Sequence, residues 1–253
     1  KDLTFTPRLF TNKDILLQNE YRKVEKNYDH ISDIGLFTST LSSGEQSSKS
    51  HLFSNTKFTF NENFFSESSL EVNIETVSND TYLKMYDPKS PIIENNSTMH
   101  SFINFSGYSQ DASLSIDIES YEDLSTKGND RYQFIYPNIS FNKDLKNIFD
   151  LSGELTFSTS IFQKQYETNK YQQSLINEIR YKSFEKFSNN GVLSNFIVSL
   201  KNPNVRNKIG SKNESNSKNQ LLTKLMYNIS YPLQKQSKLN NNIFKPILSL
   251  RYS

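Results

Sequence analysis

The side chains that could do chemistry are few and widely separated in this chain. Three histidines, His30, His51 and His100, stand alone, without the H-x-x-x-H or H-E-x-x-H spacing of zinc sites. The chain has no Cys, which excludes thiolate metal sites and disulfide frameworks. It also has no G-x-G-x-x-G or P-loop sequence. We therefore predict no catalytic residue, metal site or cofactor, and interpret the histidines as solvated or pore-facing.

Two pairs of carboxylates remain as candidates for acid–base work. Glu71 and Glu75 form one pair and Asp117 and Glu119 the other, and the even spacing would place each pair on one face of an extended strand. No nucleophile or oxyanion site accompanies them in the sequence. Such pairs also occur on the hydrated wall of a pore. We therefore expect a polar surface here, and a protein that is not an enzyme.

The segments that carry these side chains alternate between apolar and polar residues, which is the periodicity of β-strands. The clearest copy runs from Phe149 to Ile161, where five of the seven odd positions are apolar and the even positions are polar. Globular strands are typically about five or six residues long, whereas a tilted strand that crosses a bilayer needs about 9 to 11. Further copies along the chain predict about 13 strands and hardly any helix.

Composition narrows the class of protein. Only 34% of the 253 residues are hydrophobic and the mean hydropathy is -0.67, which is low for a soluble core of this size. A membrane barrel has no apolar core, since lipid covers one side of each strand and water the other. No apolar run approaches the roughly 20 residues of a membrane helix. The formal charge of +2 without a basic block argues against nucleic acid as a partner.

The connections between the predicted strands alternate in length. Short links are predicted at 106–111, 142–147, 188–191 and 234–242, and longer polar ones at 79–97, 122–130, 167–172 and 202–219. Short turns at one rim and long loops at the other are typical of outer-membrane barrels. We predict an all-β, antiparallel up-and-down transmembrane β-barrel, with residues 1–253 as one domain, a fragment of a larger barrel incomplete at both ends. A soluble β-sandwich shares the alternation and is the alternative.

The alternation also assigns side chains to faces. Polar candidates for the lumen face are Glu20, Arg22, Asp117, Glu119, Glu154, Ser158, Glu178, Arg180 and Lys182. Apolar candidates for the lipid face are Leu114, Ile116, Leu155, Phe157, Ile161, Leu225 and Ile229. The polar set mixes both charges. Such a lining suits a polar, sugar-bearing passenger better than a simple ion.

Three short segments carry a family resemblance, namely Asp2–Arg8, Gln18–Arg22 and Val77–Leu83. Further agreement lies, in order along the chain, at 130–132, 136–137, 231–233, 245–246 and 250–252. In these segments the chain resembles the LptD (OstA) family of lipopolysaccharide-assembly proteins. The resemblance implies a large barrel in the outer membrane of a Gram-negative bacterium. Such a barrel receives lipopolysaccharide from a periplasmic bridge and inserts it into the outer leaflet.

The resemblance also implies partners: lipopolysaccharide, a plug lipoprotein in the lumen, and a periplasmic bridge protein that binds through an N-terminal domain outside this chain. The cysteines that form disulfides in well-known family members are absent here. One alternative is a porin or receptor-type barrel for small solutes, which a long outer loop folded inward would favour. An alternative from another class is a secreted β-sandwich adhesin.

Overall fold

The computed structural model describes residues 1–11, 14–40, 46–60, 64–145, 152–167, 170–208, 215–236 and 241–253. Most of them lie in strands, as the alternation predicts. The thirteen strands of the main sheet are β1 (Asp2–Leu9), β2 (Ile15–Glu25), β3 (Tyr28–Thr40), β4 (Gln46–Phe60), β5 (Glu67–Val77), β6 (Thr98–Tyr108), β7 (Ala112–Asp123), β8 (Tyr132–Leu145), β9 (Gly153–Tyr166), β10 (Lys170–Ser183), β12 (Leu193–Lys208), β14 (Leu222–Ser230) and β17 (Ile247–Tyr252). The short elements are helix α1 (Tyr82–Tyr86), a 3-10 turn (Asn129–Arg131), β11 (Lys186–Phe187), β13 (Asn216–Asn219), β15 (Leu233–Gln236) and β16 (Asn241–Phe244).

These thirteen strands pair in the order of the chain, each antiparallel to its neighbour, from β1 to β17. Strands β11 and β13 pair beside β12, and β15 and β16 form a separate two-stranded ladder. The prediction of an all-β antiparallel protein is therefore confirmed. The sheet is open in the described part of the chain, where β1 and β17 pair with no strand on their outer sides. No helix among the described residues is long and apolar enough to cross a membrane.

The predicted alternation of short and long connections is only partly right. The connection at 78–97 is long and the turn at 109–111 is short, as expected. The predicted loop at 202–219 begins too early, because β12 continues through Pro203 to Lys208. The predicted short link at 234–242 lies inside a longer connection. There β15 and β16 continue the register of β14 and β17 beyond two prolines, which cannot donate backbone hydrogen bonds.

The strand registers sort the side chains onto two faces, since residues paired directly across two strands point the same way. All seven apolar candidates share one face, as in the row Leu155, Tyr181, Val198 and Leu225 across four strands. We call it the apolar face. Many of its large side chains are exposed from one end of the sheet to the other, among them Phe5 61%, Ile34 51%, Leu52 38%, Ile103 45%, Ile118 45%, Ile179 46%, Leu225 45% and Leu250 60%.

The opposite face, which we call the polar face, carries all nine polar candidates. For example, Ser158 pairs with Glu178, and Glu154 pairs with Lys182. The two predicted sets therefore lie on opposite faces of one sheet. Phe149 and Leu151, which begin the clearest predicted strand, lie outside the described residues, and that strand starts at Gly153 and runs to Tyr166.

A β-bulge in β8 keeps Phe134 and Ile139 on the same face of the sheet. The register shifts between Ile135 and Asn138, beside a cis peptide bond between Tyr136 and Pro137. Phe134 and Ile139 are five positions apart and would lie on opposite faces of a regular strand. The extra residue brings both to the apolar face, opposite Gln165 and Ile161 of β9. A bulge also suits proline, which has no N–H to donate.

Candidate functional site: a strap docked on the polar face

The connection between β5 and β6, residues 78–97, folds over the polar face of β1–β4, and we call it the strap. Arg8 of β1 donates from Nη1 to the backbone oxygens of Tyr86 (3.2 Å) and Asp87 (3.3 Å). Gln18 of β2 donates from Nε2 to the backbone oxygen of Lys89 (2.8 Å). Both side chains belong to the polar face. The strap therefore covers part of the polar face instead of extending away from the sheet.

Local sequence shapes the start of the strap. The Asn79 side chain accepts hydrogen bonds from the N–H (3.1 Å) and the hydroxyl (2.8 Å) of Thr81, an arrangement that favours a turn. One helical turn follows as α1. It ends at Asp87, which is left-handed (φ 40) and donates its N–H to the oxygen of Leu83 at 3.0 Å. The turn places Tyr82 and Leu83 against the sheet.

The apolar core of the described residues lies under the strap. Tyr82 and Leu83 are both 0% exposed, and they pack with side chains of the sheet that are equally buried. The buried members of this cluster are Leu16, Phe37, Phe53, Tyr82, Leu83, Met99 and Leu124. Leu16, Phe37 and Phe53 occupy polar-face positions on three adjacent strands. Burial of this apolar surface stabilises the docked strap.

A buried polar network lies beside this core. His51 Nδ1 is 3.0 Å from the Tyr82 hydroxyl, and His51 Nε2 is 3.3 Å from Asp33 Oδ1. Gln18 donates to both Asp33 oxygens at 3.0 and 2.9 Å. Burial, and then the Asp33 carboxylate, raise the pKa of Tyr82 to about 12, so its hydroxyl keeps its proton. The prediction that all three histidines are solvated or pore-facing is wrong for His51, which is 2% exposed.

Gly35 makes room for this network. A Cβ at this position would lie 2.2 Å from Cε1 of His51 and 2.9 Å from the Tyr82 hydroxyl. Because His51 is buried, it has little space to move away. Any larger residue at position 35 would therefore push the His51 ring away from the Tyr82 hydroxyl of the strap. The sequence carries no signal for this role, since the contact joins positions on three separate elements.

Arg131 ties the strap to the neighbouring connection between β7 and β8. Its guanidinium donates to both oxygens of Asp80, at 2.8 and 3.2 Å, and lies 2.6 Å from Glu122 Oε1. The hydrogen bond to Asp80 is the main cause that raises the pKa of Arg131 above its ordinary value. A planar guanidinium suits this two-pronged contact. The base of the strap is thus held from outside β1–β4 as well.

The strap is contacted from widely separated parts of the sequence. Arg8, Gln18, Tyr82 and Arg131 come from separate parts of the sequence and meet at this one structure. The side chains of His51 and Asp33 are both 0% exposed, which leaves a substrate no access to them. The network therefore fastens the strap and does not form an open reaction site.

The two carboxylate pairs lie on the polar face, but they are engaged with neighbouring strands. Backbone pairing between β5 and β6 stops at Asn73 and Phe102. Beyond it, Glu75 accepts a hydrogen bond from the N–H of His100 at 2.8 Å. Glu119 contacts the His100 ring and the Tyr121 hydroxyl. Among the described residues, no three His, Asp or Glu side chains come together in a group that could hold a metal ion.

The charges of the polar face are sorted by strand, which the sequence does not reveal. On the described polar-face positions of β5–β8 the acidic residues are Glu67, Glu71, Glu75, Asp117, Glu119, Asp123 and Asp144, with no Lys or Arg. On those of β10, β12, β14 and β17 the basic residues are Lys170, Arg180, Lys182, Lys201, Lys224 and Arg251, with Glu178 as the acid. The polar face therefore has an acidic zone on β5–β8 and a basic zone on β10–β17, while the charges of β2 (Glu20 and Arg22) and of β9 (Glu154 and Lys164) are mixed, as predicted.

No protein-family model matches the chain, and no curated protein matches it.

Proposed function

We propose that this chain forms part of the wall of an outer-membrane β-barrel that translocates lipopolysaccharide into the outer leaflet of a Gram-negative bacterium. No residue is catalytic in this proposal. The barrel guides the passenger, and a periplasmic bridge protein supplies it through a domain outside this chain. A plug lipoprotein occupies the lumen.

The observation that carries the proposal is the exposed apolar face opposite a polar face. Large apolar side chains such as Ile34, Ile103 and Leu250 are between 45% and 60% exposed along the whole sheet. An apolar surface of this extent is costly in water and suits lipid. Most of the thirteen strands have at least the roughly 9 to 11 residues that a tilted membrane strand needs. A polar opposite face suits a water-filled lumen.

The choice of lipopolysaccharide as passenger rests on the resemblance to the LptD family. The segments that carry it contribute Arg8, Gln18, Asp80 and Arg131 to one structure, the docked strap. Their convergence on one structure supports a shared role of these segments in docking the strap. The passenger combines acyl chains with a hydrophilic saccharide, and a wall with one apolar and one polar face matches both.

One observation favours a second candidate, a porin or receptor-type barrel for small solutes. The strap is a long connection folded onto the polar face, and in a closed barrel it would narrow the lumen. A constriction of that kind suits the selection of small solutes by size. A lipopolysaccharide translocon with the same strap would need its passenger to move along the uncovered strands.

Crosslinking during transport separates the two candidates. A photo-crosslinker is placed at Glu154 on the polar face of β9 in the full-length protein, with Phe157 on the apolar face as the matched control. We expect Glu154 to capture lipopolysaccharide or the plug lipoprotein while transport is active. Capture of neither partner at several polar-face positions would overturn the translocon and favour the porin.

A further inference from the structure

We infer that the polar face of β10, β12, β14 and β17 is a docking surface for the phosphate groups of a glycolipid saccharide. The inference rests on the proposed function and names the part of the wall that the passenger follows. It is carried by the basic zone, whose members are brought together only by the strand registers.

The register places these cations side by side. Arg180 and Lys224 lie two strands apart, each opposite Ser199 of the strand between them. Adjacent strands are about 4.8 Å apart, so the two Cα atoms are roughly 10 Å apart. Lys201 is two residues from Ser199 on the same face, diagonal to both. Arg251 lies opposite Met226, one step further along the same face. Long side chains therefore reach a common area.

The positive charges of this zone are poorly neutralised. Within the described residues, no carboxylate lies within 4.0 Å of Arg180, Lys201, Lys224 or Arg251, and Lys182 reaches only the exposed Glu154, at 3.8 Å. Glu178, the acid of the zone, lies opposite Lys201 in the register and accepts a hydrogen bond from the Ser199 hydroxyl at 2.6 Å. The cations of the zone outnumber this one carboxylate, and a compact set of excess positive charges attracts a multivalent anion.

Phosphate is the anion that best fits the surface and its surroundings. A guanidinium binds phosphate through two parallel hydrogen bonds, and flexible lysines add charge around it. The acidic zone on β5–β8 lies on the same face and repels the same anion. A phosphorylated saccharide is therefore directed away from the acidic strands and toward β10–β17. The strap covers β1–β4, so this is also a part of the polar face that stays open.

The test uses the full-length protein in detergent with photo-crosslinkers at Met226 in the basic zone and Phe102 in the acidic zone. Both positions carry large side chains on the polar face. The probes are lipopolysaccharide with its phosphates and the same material after chemical removal of the phosphates. The variant is K201Q/K224Q, and K164Q on the polar face of β9 is the matched control. Loss of two charge-assisted contacts corresponds to about tenfold or more in affinity.

We expect phosphorylated lipopolysaccharide to be captured at Met226 and much less at Phe102. Capture at Met226 should fall about tenfold in K201Q/K224Q and on removal of the phosphates, and stay unchanged in K164Q. Equal capture at both positions, or capture indifferent to phosphate, would overturn the docking surface while leaving the translocon intact.

A second arm separates the glycolipid from a free anion. The reversal potential of the protein in a planar bilayer under a KCl gradient is measured for the wild type and K201Q/K224Q. Anion selectivity that depends on the two lysines, without capture of lipopolysaccharide anywhere on the polar face, would assign the surface to small anions. That result would overturn both the glycolipid and the proposed translocon.

Discussion

The polar face carries different side chains where the strap covers it, on β1–β4, and where it is uncovered, although the strand geometry is the same. Under the strap, Leu16, Phe37 and Phe53 are at most 1% exposed and form a core. On the uncovered strands the same face carries a row of directly paired serines across β6–β9, namely Ser106, Ser115, Ser140 and Ser160. Apolar residues at polar-face positions therefore form a buried core where the strap covers them, whereas Ile176 and Met226 occupy such positions on uncovered strands and are only partly buried. A single sheet has no core of its own, and here the apolar core lies where the strap covers the sheet.

The largest effect is expected from truncating the covered core. Leu83→Ala removes a fully buried side chain and should weaken strap docking by about 2 to 5 kcal/mol, through lost burial and a cavity. Hydrogen–deuterium exchange at Asp87 reports it, because that N–H bonds to the Leu83 oxygen. The matched control is Ile176→Ala, on the uncovered polar face of β10. Equal effects of the two changes would contradict the distinction between the two parts.

A second prediction tests the two faces outside the strap. Phe157→Arg should destabilise the full-length barrel by roughly 2 to 4 kcal/mol if the site lies near the bilayer midplane, because the guanidinium must be desolvated there. Ser158→Arg should cost much less, since water solvates the charge and Glu178 lies directly opposite. Denaturant unfolding from detergent or lipid measures both. A larger cost at Ser158 would mean that the strand faces the other way or is not in a membrane.

The smallest expected effect concerns ion pairs. Arg131→Gln removes a side chain that is 15% exposed and bonded to Asp80 and Glu122, and should weaken the base of the strap by about 1 kcal/mol. Lys182→Gln breaks the exposed 3.8 Å contact with Glu154 on the uncovered face and should change stability little. Hydrogen–deuterium exchange at the amides of residues 79–87 measures the effect of Arg131→Gln on the strap. Denaturant unfolding measures the effect of both substitutions on global stability. If Arg131→Gln leaves amide exchange in the strap unchanged, apolar contacts alone dock the strap.

Sequence reasoning found the strands because their signal is local. The clearest predicted strand, 149–161, overlaps β9 from Gly153 to Ile161, and the expected number of about 13 strands agrees with the thirteen strands of the main sheet. It missed the bulge at Tyr136 and Pro137, where one extra residue reverses the parity within a strand. It also missed the burial of His51. One available signal was the set of apolar residues, such as Phe37 and Phe53, at positions that the alternation reserves for polar ones.

The sequence by itself determined most of the strands and, outside the bulge in β8, which side chains share a face, because alternation is a property of consecutive residues and needs no partner. Only the tertiary structure decided that residues 78–97 lie on β1–β4, since that docking joins Tyr82 to His51 and Asp80 to Arg131 across long separations in the chain. It also decided that acidic and basic side chains separate into zones. Strand registers align residues that are far apart in sequence, and those registers are set by the pairing of whole strands.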